Sequence, residues 1–272
     1  MSEENKMRDV VDAVTGVAKA IPVYQDVVQP AAQELGKALQ TVTKLVHVAL
    51  APASALIWGY DEIKDFVSTK VSQRLVNVPR ENIIEPKIGI AGPVLDALRF
   101  TGHEPLLREL YANLLASSMD KSTAKGVLPA FVEIIKQLTP DEAKLVGLFI
   151  REIPYPLLDV RWEYKMPTNE KSGGCNELVN FSKLGDIAGC EFPDLVPLYI
   201  DNICRLGLAD VPALFRYTGL GIYDALECDP LVQAKKDEIE KNPEWKCVFN
   251  RKGLVITQLG HQFARICVLT KI

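Results

Sequence analysis

The sequence predicts a mainly α-helical fold: an N-terminal helical bundle over residues 1–152, then a winged-helix-like α+β domain over residues 153–272. Three observations predict it. Apolar residues recur at three- and four-residue steps through the first half, the spacing of one face of an α-helix. Prolines and glycines punctuate those runs at short intervals, as in antiparallel bundles. After Ile153 the period changes to the two-residue alternation of a half-buried strand.

Met7, Val10, Val11, Val14, Val17 and Ile21 line a first helix that Pro22 stops. Val28, Ala31, Leu35, Ala38, Val42, Leu45 and Ala49 give a second, with a seam wide enough to pack inside a bundle. Beyond Pro52, Leu56, Tyr60, Ile63, Val67, Val71 and Leu75 predict a third helix, whose solvated face carries Asp61 and Glu62. Residues 76–92, broken by Pro79 and Pro86, read as a connector and a subdomain joint. Pro93 and Pro105 stand where a first helical residue can lack its amide hydrogen, so two more helices follow. Another is predicted over Leu128 to Leu138 from Phe131, Ile134 and Ile135. Thr139-Pro140-Asp141-Glu142 then reads as a capping box.

In the second half, Val160, Trp162, Tyr164 and Met166 alternate as a strand, and residues 167–177 read as a loop. Residues 182–188 and the run Leu195, Tyr199, Ile203, Leu206, ending at Gly207, have helix–turn–helix spacing. Residues 208–211 are expected as a strand, and residues 245–249 and 254–256 as a hairpin about the turn Asn250-Arg251-Lys252-Gly253. Thr257 caps a last helix through Leu259, Phe263 and Ile266. Residues 212–244 interrupt this order as an insertion.

Hydrophobic residues at 48% and charged residues at 24% place the chain among ordinary globular proteins rather than disordered or fibrous ones. A net charge of −4 supplies no global attraction to nucleic acid or an anionic membrane. The six cysteines (Cys175, Cys190, Cys204, Cys228, Cys247, Cys267) are well separated, without a C-x-x-C pair, and read as buried thiols in a reducing cytoplasm. The acidic start MSEENKMRD does not read as a secretory signal, and the expectation is a cytoplasmic protein that associates with a membrane, if at all, on activation.

The blocks Glu85-Pro86, GPVLDALRF from Gly92 to Phe100, LRELYANLLASSMD from Leu107 to Asp120, and PAFVEIIKQLTPDEAKL from Pro129 to Leu145 together resemble the abortive-infection alpha family. The resemblance extends back to QPAAQELGKAL at residues 29–39. It implies a setting in bacterial defence against phage and brings no catalytic residues with it.

Ser117, Ser118 and Asp120, with His103 upstream, could be read as a nucleophilic site, but no base is placed beside them in sequence, and hydrogen bonding at a helix end explains them better. Gly89, Gly92, Gly173 and Gly174 lack the Lys-Ser/Thr of a phosphate loop. His261 reads as a half-buried side chain. No catalytic, cofactor-binding or metal-binding residue is assigned and no cofactor is expected; the chain is expected not to be an enzyme. Two interaction candidates remain. Leu45, Leu50, Leu56, Ile57, Trp58 and Tyr60, in the least charged stretch, either close the bundle core or meet a partner protein or a lipid surface. Arg251 and Lys252 form a basic point at the expected wing, for DNA or a partner. The candidate recognition helix from Pro193 to Leu206 carries Asp194 and Asp201 against one Arg205, which disfavours nucleic acid and favours a protein partner or a second copy.

Overall fold

The computed structural model describes residues 58–151 and 153–269. They form a mixed α+β protein of two compact units; one holds the described residues up to Gln137 together with those from Ile266 on, the other residues 138–265. The named strands among the described residues lie in the second unit, where the sequence placed its α+β domain, so the protein is mixed α+β and not all-α.

In the first unit, α1 (Tyr60–Phe66), a π-helical turn (Val67–Val71) and α2 (Ser72–Leu75) run without a break. The helix α3 (Ile88–Thr101) begins five residues before Pro93, so the connector is shorter than expected and Pro93 lies inside a helix. Its ring faces the carbonyl of Gly89 in the first turn, where only one intrahelical bond is forfeited. Pro105 does open α4 (Pro105–Ser118), and α5 (Ala130–Lys136) follows. Buried residues run all round the second half of α4, from Leu110 to Ser118, because α2, α3 and α5 all pack on it. Trp58 closes one end: its ring meets Phe66 edge-on at 5.9 Å, and the Arg108 guanidinium lies 5.5 Å from it. A Cβ at Gly102 would stand 2.3 Å from that indole, so the helix end must be glycine for the ring to seat.

The polar residues of α4 serve this unit. Asn113 accepts a hydrogen bond from Arg74 Nε and donates to the Cys267 carbonyl at 2.8 Å; Ser117 donates to the Ile266 carbonyl at 3.1 Å. Those carbonyls belong to the last turn of a second π-helical stretch, Ala264–Val268, and the carbonyls at a helix end need donors from outside the helix. Arg74 also donates to the Lys70 carbonyl of the first π turn at 2.8 Å and pairs with Glu109. One side-chain chain therefore satisfies both π turns. Asn113→Ala, which unpairs buried groups on both sides, is expected to cost about 1–3 kcal/mol in chemical denaturation; a loss under about 0.5 kcal/mol, the level of a surface change, would contradict that role.

The second unit begins with α6 (Pro140–Gly147), capped as the sequence predicts: Glu142 N donates to Thr139 Oγ1 at 3.2 Å and Thr139 N to Glu142 Oε2 at 2.7 Å. The central strand β1 (Pro156–Tyr164) follows, then β2 (Gly174–Phe181), which occupies part of the expected loop. The helices α7 (Leu184–Ala188) and α8 (Val196–Arg205) form the predicted helix–turn–helix pair; β3 (Ala209–Asp210), α9 (Asp224–Glu227) and α10 (Pro230–Glu240) come next. The last elements are β4 (Trp245–Gly253), β5 (Val255–Ile256) and α11 (Gln258–Phe263), the last capped by Thr257, which accepts from Gly260 N at 3.0 Å. One antiparallel sheet has the order β2-β1-β4; the short strands β3 and β5 pair separately. On one side of the main sheet Leu158 and Val160 pack with Tyr223, Leu226, Val232 and Ile239, and Trp162 stacks on Trp245 at 4.4 Å.

The expected hairpin is absent from its place. Asn250, Arg251, Lys252 and Gly253 continue β4 in register with Asp159, Leu158, Leu157 and Pro156. Their composition suits a turn, but each has a partner in the extended form. Lys252 pairs with the buried Asp159 at 2.7 Å and donates to Asn180 Oδ1 at 2.6 Å. Asn180, left-handed at φ 54°, stands where the β1–β2 register shifts, and its amide donates to Asp159 at 2.8 Å. Gly253 is required by packing, since a Cβ there would lie 2.6 Å from the Tyr217 ring and 2.8 Å from Phe215.

Candidate functional site: the exposed face of the helix–turn–helix pair

The turn between α7 and α8 is built around one buried carboxylate. Asp141, in the first turn of α6, is 5% exposed and accepts from Glu191 N (2.9 Å), Phe192 N (2.9 Å), Lys144 Nζ (2.8 Å) and the Tyr199 hydroxyl (3.3 Å). A buried carboxylate without donors is costly, and these four groups supply them from three segments. Burial alone would raise its pKa; the Lys144 hydrogen bond, joined by the two amides, more than reverses this and lowers it to about 2. Next to it, Glu142 accepts from Asn202 Nδ2 at 2.7 Å, and Asn202 Oδ1 in turn accepts from Arg205 Nη2 at 2.6 Å. Gly185 brings α7 against α8, where a Cβ would lie 2.6 Å from Val196, and Gly189, at φ 69°, ends α7 in the left-handed conformation.

A turn fixed in this way holds its outer side chains in place. Phe192 and Leu198 are 53% and 61% exposed, with Ile187 and Leu195 also open to solvent. Around them stand Asp186, Glu191, Asp194 and Asp201, all exposed; among the described residues only Asp186 of these four has an ion pair, with Lys183 at 3.6 Å. The one basic residue of α8, Arg205, is engaged by Asn202. The face is apolar with an acidic rim, the opposite of what phosphate contact demands.

The other sequence candidates are placed as follows. Leu45, Leu50, Leu56 and Ile57 lie outside the described residues; Trp58 is half-buried in the first unit, and Tyr60 opens α1. Arg251 is not at a wing tip: it pairs with Glu227 at 2.9 Å and lies 5.5 Å from the Tyr223 ring, as Lys252 is held by Asp159. Ser118 donates to its own helix at Leu115 O, Asp120 accepts from Ser122, and Ser117 is used as described, so no nucleophile and base are brought together there. His103 is exposed beside Glu104.

Chemistry finds little support elsewhere among the described residues. Burial and then Asp141 push the Cys190 thiol up to about 11; burial and nearby acids do the same to Cys204, so neither is a thiolate nucleophile. All six cysteines are free, and only Cys267 is fully buried; Cys175 and Cys228 are exposed, against the expectation of buried thiols. The small apolar cavity between Leu145, Phe149, Leu184 and Ile203 has a volume of about 10 Å³, too small for a ligand. No group of His, Cys, Asp and Glu among the described residues is placed to hold a metal ion, and no described helix is long and apolar enough to cross a membrane.

A family model for abortive infection alpha matches residues 59–267, across both units. The chain belongs to the abortive infection alpha family. A solved structure, of an uncharacterized protein from the hydrocarbon-degrading marine bacterium Alcanivorax borkumensis SK2, is similar at 23% identity over 52% of this chain and 93% of that one, with a TM-score of 0.35. No curated protein matches. Within this abortive infection alpha chain, two of the sequence blocks that carry the family resemblance, 107–120 and 129–145, contain the two polar hubs, Asn113 with Ser117 and Asp141 with Glu142.

Because the Asp141 pKa is lowered, the stability it contributes is present above the ordinary carboxylate value of about 3.9 and is lost as pH falls toward about 2. Asp141→Asn is expected to be less stable at pH 7 and to lose less stability than the parent between those two values. Acid-unfolding curves that run parallel for the two proteins would contradict the assignment.

Proposed function

We propose that this protein acts in abortive infection by binding another protein rather than by bond chemistry of its own, and that the helix–turn–helix face is where it docks. The observation that carries this reading is the pairing of exposed Phe192 and Leu198 with a turn held rigid by the buried Asp141 carboxylate. Large apolar side chains on a pre-ordered surface bind with little entropic loss, and aromatic anchors of this kind dominate protein interfaces. The order of α6, α7, α8, the β3–β5 pair and α11 fits a winged-helix-like module, with β1–β2 and residues 211–254 as insertions. In this reading the module serves protein docking, since the acids around the recognition helix repel phosphates and its only arginine is already bonded.

The test is the double variant Phe192→Asp/Leu198→Asp. Both side chains are exposed, so folding stability should change by no more than about 0.5 kcal/mol each. Cells carrying the variant should lose protection against phage while producing normal amounts of folded protein. A folded variant that protects as well as the parent would overturn the assignment of this face. Purified parent protein that cleaved nucleotide or nucleic acid would overturn the non-enzymatic reading.

A further inference from the structure

A second exposed apolar surface lies in the same unit, on the loop of residues 211–223 between β3 and α9. Leu214 is 99% exposed and Leu220 103%, the most exposed large apolar residues among those described. A loop with free leucines is ordinarily a floppy one, but this loop is pinned from within. Tyr217 N donates to the Tyr223 hydroxyl at 3.0 Å, the Tyr223 hydroxyl donates to Lys252 O at 2.7 Å, and the Tyr217 hydroxyl donates to Leu254 O at 3.1 Å. Phe215 meets Tyr217 edge-on at 5.2 Å, over the bare backbone of Gly253. The anchors hold the loop in a conformation that turns the two leucines to solvent. Between them Arg216 is exposed and makes no hydrogen bond or ion pair with any described residue.

The loop and the helix–turn–helix face complement each other. One offers two leucines and an unpaired cation; the other offers Phe192 and Leu198 among the carboxylates of Glu191, Asp194 and Asp201, none of which has an ion-pair partner among the described residues. Both are exposed in the same structure, so neither covers the other within one chain. Resting on the reading of the helix–turn–helix face as a docking surface, we propose that its partner is a second copy of this chain. The loop of one copy docks on that face of the next, with Leu214 and Leu220 against Phe192 and Leu198, and Arg216 among the three acids. Such a contact joins two different surfaces, so it is heterologous, and every copy carries both halves. Opposite charges set the register, and desolvated leucines supply the affinity.

The experiment is sedimentation velocity on the full chain across a concentration series reaching about 100 μM, the range in which micromolar contacts appear. The parent should show mass above the 30.1 kDa monomer that grows with concentration. The loop variant Leu214→Asp/Leu220→Asp and the face variant Phe192→Asp/Leu198→Asp should each remain monomeric, with unchanged circular dichroism. Mixed one to one, they should form a dimer that grows no further, because the pair retains a single intact loop and a single intact face. Arg216→Glu should weaken association at least tenfold, and Asp194→Arg in its partner should restore part of it. A monomeric parent, association of the loop variant by itself, or a mixture that stays monomeric would each overturn the inference. If the parent is monomeric while the face variant loses protection, the docking surface stands and its partner is a different protein; if the face variant still protects, the docking reading itself is wrong.

Discussion

A carboxylate withdrawn from water must be met by donors, and the second unit is arranged around meeting one. Asp141 sits at the start of α6, where the helix dipole already favours a negative charge. Its remaining capacity is filled by the Lys144 ammonium of the same helix, by two backbone amides of the turn before α8 and by a hydroxyl from α8 itself. Those amides would otherwise be unpaired at the entrance to a helix. The same bonds thus solve two problems, and they fix where Phe192 lies relative to α6. Glu142 adds a second tie by spending one oxygen on its own helix cap and the other on Asn202. With the turn fixed on its inner side, its outer side is free to be apolar.

The first unit follows the same logic with a neutral group. Asn113 is able to accept from Arg74 and donate to the Cys267 carbonyl at once, and this is what lets a returning C-terminal segment rest on α4 without leaving carbonyls bare. A buried arginine would be costly alone, but Arg74 is met by Asn113, Glu109 and the Lys70 carbonyl. Both hubs therefore join segments far apart in sequence, and both consist of residue types that a short motif search would read as catalytic. Their hydrogen-bonding capacity is used within the fold.

How much of this the sequence disclosed depends on the range of the interaction. Helix starts fixed by local chemistry, such as the Thr139–Glu142 box, the Thr257 cap and Pro105, were legible because cap and helix are neighbours in the chain. The helix–turn–helix pair was legible for the same reason, through its spacing and Gly207 at φ 74°. Residues 250–253 misled because turn composition is a local signal, whereas their extended form is dictated by Asp159 and Asn180 and by the rings of Tyr217 and Phe215. Pro93 misled similarly: α3 is held by its packing on α4, which a local proline signal does not record. At the candidate face, the acids Asp194 and Asp201 in and just before α8 could be read directly. The exposure of Leu214 and Leu220 could not, since an apolar run in a loop looks the same whether it packs inward or outward.

The account rests on the turn being held from inside, so that its apolar face is presented rather than collapsed. Native-state hydrogen exchange at the Glu191 and Phe192 amides tests this most directly. If Asp141 holds them as described, both amides exchange only through global unfolding, as slowly as the buried amides of α8, and both become fast in Asp141→Ala. Exchange of these two amides at the rate of an open loop in the parent protein would contradict the account.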